Sequence, residues 1–200
     1  MTELESFLDD LRSNGAVVIN DLLTGVSLGK ITSDLEATKL RIPLEVIEFW
    51  RLVGGTRQPV GTDPQFKEKY RLDEAYIFYS PTEACADYCV IQDQKQKGFE
   101  DFYDLPNTCL PIARSIFGQY LCIECDLSSP FYGNIFHFDP PSAEHLRVSI
   151  SLNQYFKTVG AAFKAKIMKL DHNAELDIQD FDSYFAMGVK MNPKCDYWLS

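Results

Sequence analysis

The chain has 200 residues, 46% of them hydrophobic and 13% aromatic, and a formal net charge of −10. A single domain of this size buries roughly 70% of its unfolded surface, whereas the negative charge opposes direct contact with nucleic acid phosphates and anionic lipid and suits either plain solubility or a basic protein partner. No apolar run approaches the roughly 20 residues that cross a bilayer and the opening MTELESFLDDL is acidic where a signal peptide is basic, so the expected location is the cytoplasm, with all six cysteines reduced.

Taken in order, Thr2 to Leu11 reads as a short amphipathic surface helix. Leu4, Phe7, Leu8 and Leu11 recur at helical spacing, Thr2 and Glu5 form a capping box, and Asn14 and Gly15 stop it. A second helix is expected from about Leu28 to Lys39, with Ile31 and Leu35 on one face. Pro43 opens a third, PLEVIEFWRLVGG, which should bury Val46, Ile47, Trp50 and Val53 before Gly54 or Gly55 takes a left-handed cap. The aromatic, β-branched run EAYIFY at 74–79 then predicts a strand. SPTEACADYCVIQD follows as a helix, with Ser80 as cap, Pro81 in the first turn and Glu83 completing a second capping box. Further strands are expected near 110–114, 120–125 and 135–138. A long helix from Ser151 carries the stripe Leu152, Tyr155, Phe156, Val159, Phe163, Ile167 and Leu170, and one more helix lies near Phe181.

Helices, then strands, then helices again point to an α+β fold, a single mainly antiparallel sheet flanked by helices. No repeat or break in composition divides residues 1–200, so one domain is expected, with helices over 1–40 and an acidic, helical extension over 171–200. Charge is uneven along the chain. Residues 171–182 hold five acids and no Lys or Arg, while 152–169 hold four lysines and no acid, an asymmetry that suits either a solvated face or a side marked for a partner.

The stretch LPIARSIFGQYLCIEC at 110–125 poses the sharpest chemical question, because CIEC has the spacing of a metal or redox pair. In a strand, however, Cys122 and Cys125 point to opposite faces, with Leu121, Ile123 and Cys125 on one and Tyr120, Cys122 and Glu124 on the other. Recruiting His137 and His145 fails on spacing, since seven residues separate them where a zinc finger uses about three to five. IFHF also places His137 on a core-facing strand position. Cys85 and Cys89, at i and i+4 with no histidine nearby, read as small buried apolar residues. The expectation is therefore no functional metal, no disulfide and no cofactor.

Signatures of nucleophilic, zinc-hydrolase and P-loop catalysis are absent. A hydrolase built on unassigned carboxylates, such as Glu100, Asp101 and Asp104, ranks behind a solvated loop. Two loops stand above a bland surface. GFEDFYDLPN at 98–107 supplies Glu100, Asp101, Phe102, Tyr103 and Asp104, and DLSSPFYGN at 126–134 supplies Asp126, Phe131 and Tyr132. Aromatic rings beside carboxylates suit a basic protein surface, the rings giving buried area and the acids orientation. The competing reading folds these rings back onto the core.

The order of these signals resembles the SUKH superfamily, also called the SMI/KNR type. The matching pieces are IPLEVIEFWRLVGG at 42–55, IFYSPTEA at 77–84, LPIA at 110–113, GQYLCI at 118–123, GNIFHFD at 133–139 and SLNQYF at 151–156. Val53 stands where such proteins commonly have Asn, and RSIF precedes Gly118 where they often carry an acidic turn. The resemblance, over about 42–170, implies an α+β fold and, for bacterial members, a non-enzymatic immunity protein that neutralises a polymorphic toxin, often a nuclease. For relatives in fungi it implies a regulatory adaptor or scaffold. It places CIEC on a central strand and leaves the acidic 171–182 stretch without a role.

Overall fold

The computed structural model of the chain describes residues 2–57, 76–98, 105–142 and 144–199. In chain order these form α1 (Glu3–Ser13), β1 (Leu22–Thr24), α2 (Leu28–Leu35), α3 (Leu44–Leu52), β2 (Val53–Thr56), β3 (Tyr76–Phe78) and α4 (Pro81–Gln96). There follow β4 (Cys109–Ser115), β5 (Tyr120–Glu124), β6 (Ile135–Asp139), β7 (Glu144–Ser149), α5 (Leu152–Lys164), β8 (Met168–Leu170), β9 (Leu176–Ile178) and α6 (Phe181–Met191). β3 to β7 make one antiparallel five-stranded sheet in sequence order, and β1–β2 and β8–β9 are separate antiparallel ribbons. None of the described helices is long and apolar enough to cross a membrane.

The pleat sorts the sheet residues as alternation requires. Leu121, Ile123, Cys125 and Ile135 belong to the main core, whereas Tyr120, Cys122 and Phe138 join Ile91, Leu105 and Cys109 in a second cluster on the other face. Cys122 and Cys125 thus face apart, and CIEC is the end of a core strand. His137 lies opposite Leu121, and His145 lies opposite Phe138, which puts the two histidines on different faces and removes the zinc-finger geometry.

On the main face α1, α3 and α5 converge through rings. Phe156 of α5 lies 5.9 Å from Phe49, 5.4 Å from Phe78 and 6.3 Å from Phe7, centroid to centroid, within the range where aromatic pairs attract. Trp50 is fully buried, and its indole N–H donates to the Tyr79 carbonyl at 2.8 Å, so the ring costs no unsatisfied donor. Both capping boxes form: Thr2 with Glu5, and Ser80 with Glu83. α1 is more than a surface helix, because Leu4, Phe7, Leu8 and Leu11 are all core residues.

Several expectations about element ends need correction. α3 stops at Leu52, and Val53 opens β2, which pairs with β1. Val53 and Phe49 are buried while Ile47 is only partly so. The double glycine serves close approach instead of a helix cap: a Cβ on Gly55 would sit 2.6 Å from the Ser80 nitrogen, at a φ of +107° that disfavours other residues. α2 ends at Leu35 and tightens into a 3-10 turn to Thr38. α5 ends at Lys164, so Ile167 and Leu170 lie off the helix, and Lys169 pairs across the β8–β9 ribbon with Asp177 inside the acidic stretch. Cys85 is half-buried and Cys89 exposed, not buried. β7 was not anticipated at all.

The C-terminal residues close the edge of the sheet that β7 leaves open. Asp196 Oδ1 accepts the Arg147 backbone N–H at 2.6 Å, the Trp198 indole donates to the Val148 carbonyl at 2.7 Å, and the Arg147 guanidinium donates to the Lys194 carbonyl. An uncovered edge strand invites pairing with other chains, and here side chains of a short 3-10 turn, Asp196–Leu199, occupy it. Trp198 seats against Gly188 of α6, where a Cβ would meet the indole at 2.1 Å. Asn192 ties the segment down through a buried bond to Thr158 at 3.0 Å.

Candidate partner-binding face

The loop joining β5 to β6 is built from turn-forming residues and is ordered by its own hydrogen bonds. Asp126 accepts from the Ser128 N–H at 2.8 Å and from the Ser128 hydroxyl, the Asx-turn arrangement expected of Asp before Ser. Those same bonds hold the Asp126 carboxyl below the ordinary carboxylate range. The chain then folds back through Ser129 N to Asp126 O, Tyr132 N to Ser129 O and Asn134 N to Phe131 O, and Gly133 returns it to the strand at a φ of +80°. Glu124, buried at the root of the loop, accepts the Asp126 N–H at 2.8 Å and faces the Cys109 thiol.

Phe131 and Tyr132, adjacent in sequence, diverge. The Phe131 ring is 43% exposed and packs edge-on against Phe136 at 6.2 Å, with the Arg147 guanidinium 5.1 Å from its centroid. Phe136 stacks in turn on His145 at 4.5 Å. Tyr132 instead lines a groove of about 510 Å³ with Leu35, Ile42, Ile47 and Leu127, beside Arg41. Burial raises the pKa of its phenol, and the Arg41 charge opposes the rise. Of the two rings, then, Phe131 is offered outward and Tyr132 is half withdrawn.

Asp126, Phe131 and Tyr132 therefore share one ordered loop, whereas Glu100, Asp101, Phe102, Tyr103 and Asp104 lie outside the described residues. The described end of that second segment does reach the same end of the sheet. Thr108 O accepts from Cys125 N at 2.9 Å, and Tyr88 and Lys95 of α4 hold Asn107 at 2.7 and 2.5 Å. Leu127, 64% exposed beside the groove, was passed over in the sequence, as was Phe117, 77% exposed on the tight β4–β5 turn at the opposite end. Both sit in short turns with no hydrophobic period to read, Leu127 after Asp126 and Phe117 between Ile116 and Gly118, so local pattern gave no warning.

Chemistry at the buried thiols is suppressed. Burial pushes Cys109 and Cys122 far up, and Cys125 up to about 12, so none supplies the thiolate that nucleophilic or metal-binding roles need. Among the described residues, no group of three or more His, Cys, Asp or Glu is placed to hold a metal ion. His137 is buried against Tyr197 at 5.2 Å, and burial lowers its pKa.

A comparison with curated proteins finds no match. The sequence profile described as the SMI1 / KNR4 family (SUKH-1) matches residues 26–158, about two thirds of the chain. Those residues run from the start of α2 into α5 and include the whole five-stranded sheet and the β5–β6 loop. On that match and on the α+β architecture that accompanies it, the chain belongs to the SMI1 / KNR4 family (SUKH-1).

Proposed function

We propose that the protein is a non-enzymatic immunity protein that binds and neutralises a cognate polymorphic toxin in the cytoplasm, a basic nuclease domain being the partner its charge fits best. Family membership carries the reading, since the bacterial proteins that this chain resembles neutralise toxins. The net charge of −10 supports it, because opposite charge speeds encounter with a basic domain. The contact is assigned to the β5–β6 loop, where Phe131 supplies an exposed ring and Asp126 a carboxylate, together with the acids and rings of 98–107. A pre-ordered loop binds with less loss of conformational entropy than a floppy one.

Mechanistically the protein acts as a plug. Its acidic, ring-bearing face occludes the toxin's active site or nucleic-acid groove, with charge setting the rate of arrival and the buried ring setting residence time. The test is co-expression with the toxin domain encoded beside it. Rescue of growth together with stoichiometric co-purification is expected; failure of both would overturn the immunity reading and favour a regulatory adaptor or scaffold of the same fold that has no toxin partner.

A further inference from the structure

Residues after 158, which the family profile does not reach, are linked to the loop assigned to partner binding through Arg147. Arg147 is held from three directions. Its backbone N–H donates to Asp196 at 2.6 Å, its guanidinium donates to the Lys194 carbonyl, and the guanidinium carbon lies over the Phe131 ring, 5.1 Å from the centroid. Among the described residues Phe131 has one further ring neighbour, Phe136, at 6.2 Å, and it is 43% exposed. Phe136 cannot drift, because it is buried between Cys122 and Arg147 in the sheet register and stacked on His145.

We propose that Arg147 is a positioning residue through which the C-terminal segment, Lys194 to Trp198, fixes the Phe131 ring in its outward orientation. A planar guanidinium can stack on a ring while its edge N–H groups donate elsewhere, which an ammonium cannot do. Here one guanidinium N–H is claimed by the Lys194 carbonyl while the cation sits over Phe131, so the segment's position is passed directly to the ring. The segment lies beyond the family-matched residues and the ring lies within them. An appended element thereby presets a surface of the shared fold. The consequence for binding rests on the proposed immunity role, whereas the coupling itself does not.

Two full-chain substitutions test it. Arg147→Lys keeps the charge and the backbone bond to Asp196 but loses the planar face; Asp196→Ala keeps Arg147 and loosens the segment. In solution NMR, Arg147→Lys should weaken the Phe131-to-Phe136 ring contacts, and Asp196→Ala should shrink the ring-current shift that Phe131 imposes on the Arg147 side-chain protons. Thermal unfolding of both should stay near that of the parent, which separates positioning from damage to the fold. Against the cognate toxin domain both should dissociate several-fold faster with unchanged association. An Asp196→Ala protein that retains the full Arg147 ring-current shift overturns the coupling, as does an Arg147→Lys protein with intact Phe131 contacts. Should Phe131→Ala itself leave dissociation unaltered, the binding-loop assignment fails while the NMR result still decides the coupling.

Discussion

The two faces of the five-stranded sheet solve different problems. On the main face, Phe7, Phe49, Phe78 and Phe156 sit ring to ring beneath α1, α3 and α5, and buried polar groups such as the Trp50 indole and the Thr56 hydroxyl are satisfied by the backbone carbonyls of Tyr79 and Phe78. Along the outer face near β6 and β7, Phe131, Phe136, His145 and Arg147 form a half-open row whose order depends on directed contacts: one cation over a ring, one ring on an imidazole, one carboxylate on a backbone N–H. The closed face resists change in volume. The open face resists change in direction, which is the property a recognition surface requires.

The largest expected effect lies on the closed face. Trp50→Ala removes a fully buried ring and should lower unfolding stability by roughly 3 to 5 kcal/mol in denaturant titration; a stable variant that had lost only its partner would erase the distinction between the faces. On the open face Phe131→Ala should raise the partner's off-rate by about 2 kcal/mol equivalent with little change in stability. Tyr132→Ala should do the same but also destabilise, because that ring is half withdrawn into the groove.

A smaller effect sharpens the comparison through pH. His137 is buried on the main face, and its folded pKa lies below the unfolded 6.5. Burial is the main cause; Asp139 and Glu144 oppose it, His145 reinforces it, and the Tyr197 ring packs beside it. The unfolded chain therefore takes up a proton first. This contribution is complete above about pH 6.5 and is lost as pH falls from there through the folded pKa. Melting temperatures compared at pH 7.5 and 5.5 should show the fall, and His137→Phe should reduce it. The smallest effect concerns charge alone. Replacing Glu100, Asp101 and Asp104 by their amides should slow association several-fold at low salt and change dissociation less. Identical rates in these variants, with slower association on neutralising Asp177, Asp180 and Asp182, would move the interface to the acidic segment.

The features that were readable from the chain are those encoded within one turn or one strand. Thr2 with Glu5 and Ser80 with Glu83 are capping partners three residues apart, and the split of Tyr120 and Cys122 from Leu121, Ile123 and Cys125 follows from the pleat alone. Three-residue strands such as β1 and β8 are too short to show a period, and they exist because distant segments pair with them. The same reason hid the ends of α3 and α5, where Val53 and Met168 leave helical patterns for ladder partners. α4 misled differently: Val90 is exposed and Cys89 with it, while Ala84 and Ile91 are buried, so apolar character did not track burial. At the candidate face Asp126 and Phe131 were legible as loop residues, but the divergence of Phe131 from Tyr132 was not. Arg147 was invisible for the plainest reason, since its partners are Phe131 on one side and Lys194 and Asp196 on the other.

The bond from the Trp198 indole to the Val148 carbonyl spans 50 residues of chain, and that span is also a length of time. At a synthesis rate of about 5 to 20 residues per second, roughly 2.5 to 10 s separate the making of β7 from the making of the side chain that covers it. The rings of α1, α3 and β3 precede β7, and α5 with Phe156 follows it directly, so for most of the interval a nascent molecule would hold the main-face rings with one bare strand edge. During that interval the growing chain is at its most exposed to pairing with its neighbours on the same message. Polysome crowding and the loss of Trp198 should thus act on yield in the same direction, through aggregates formed before release and not through the stability of the finished protein.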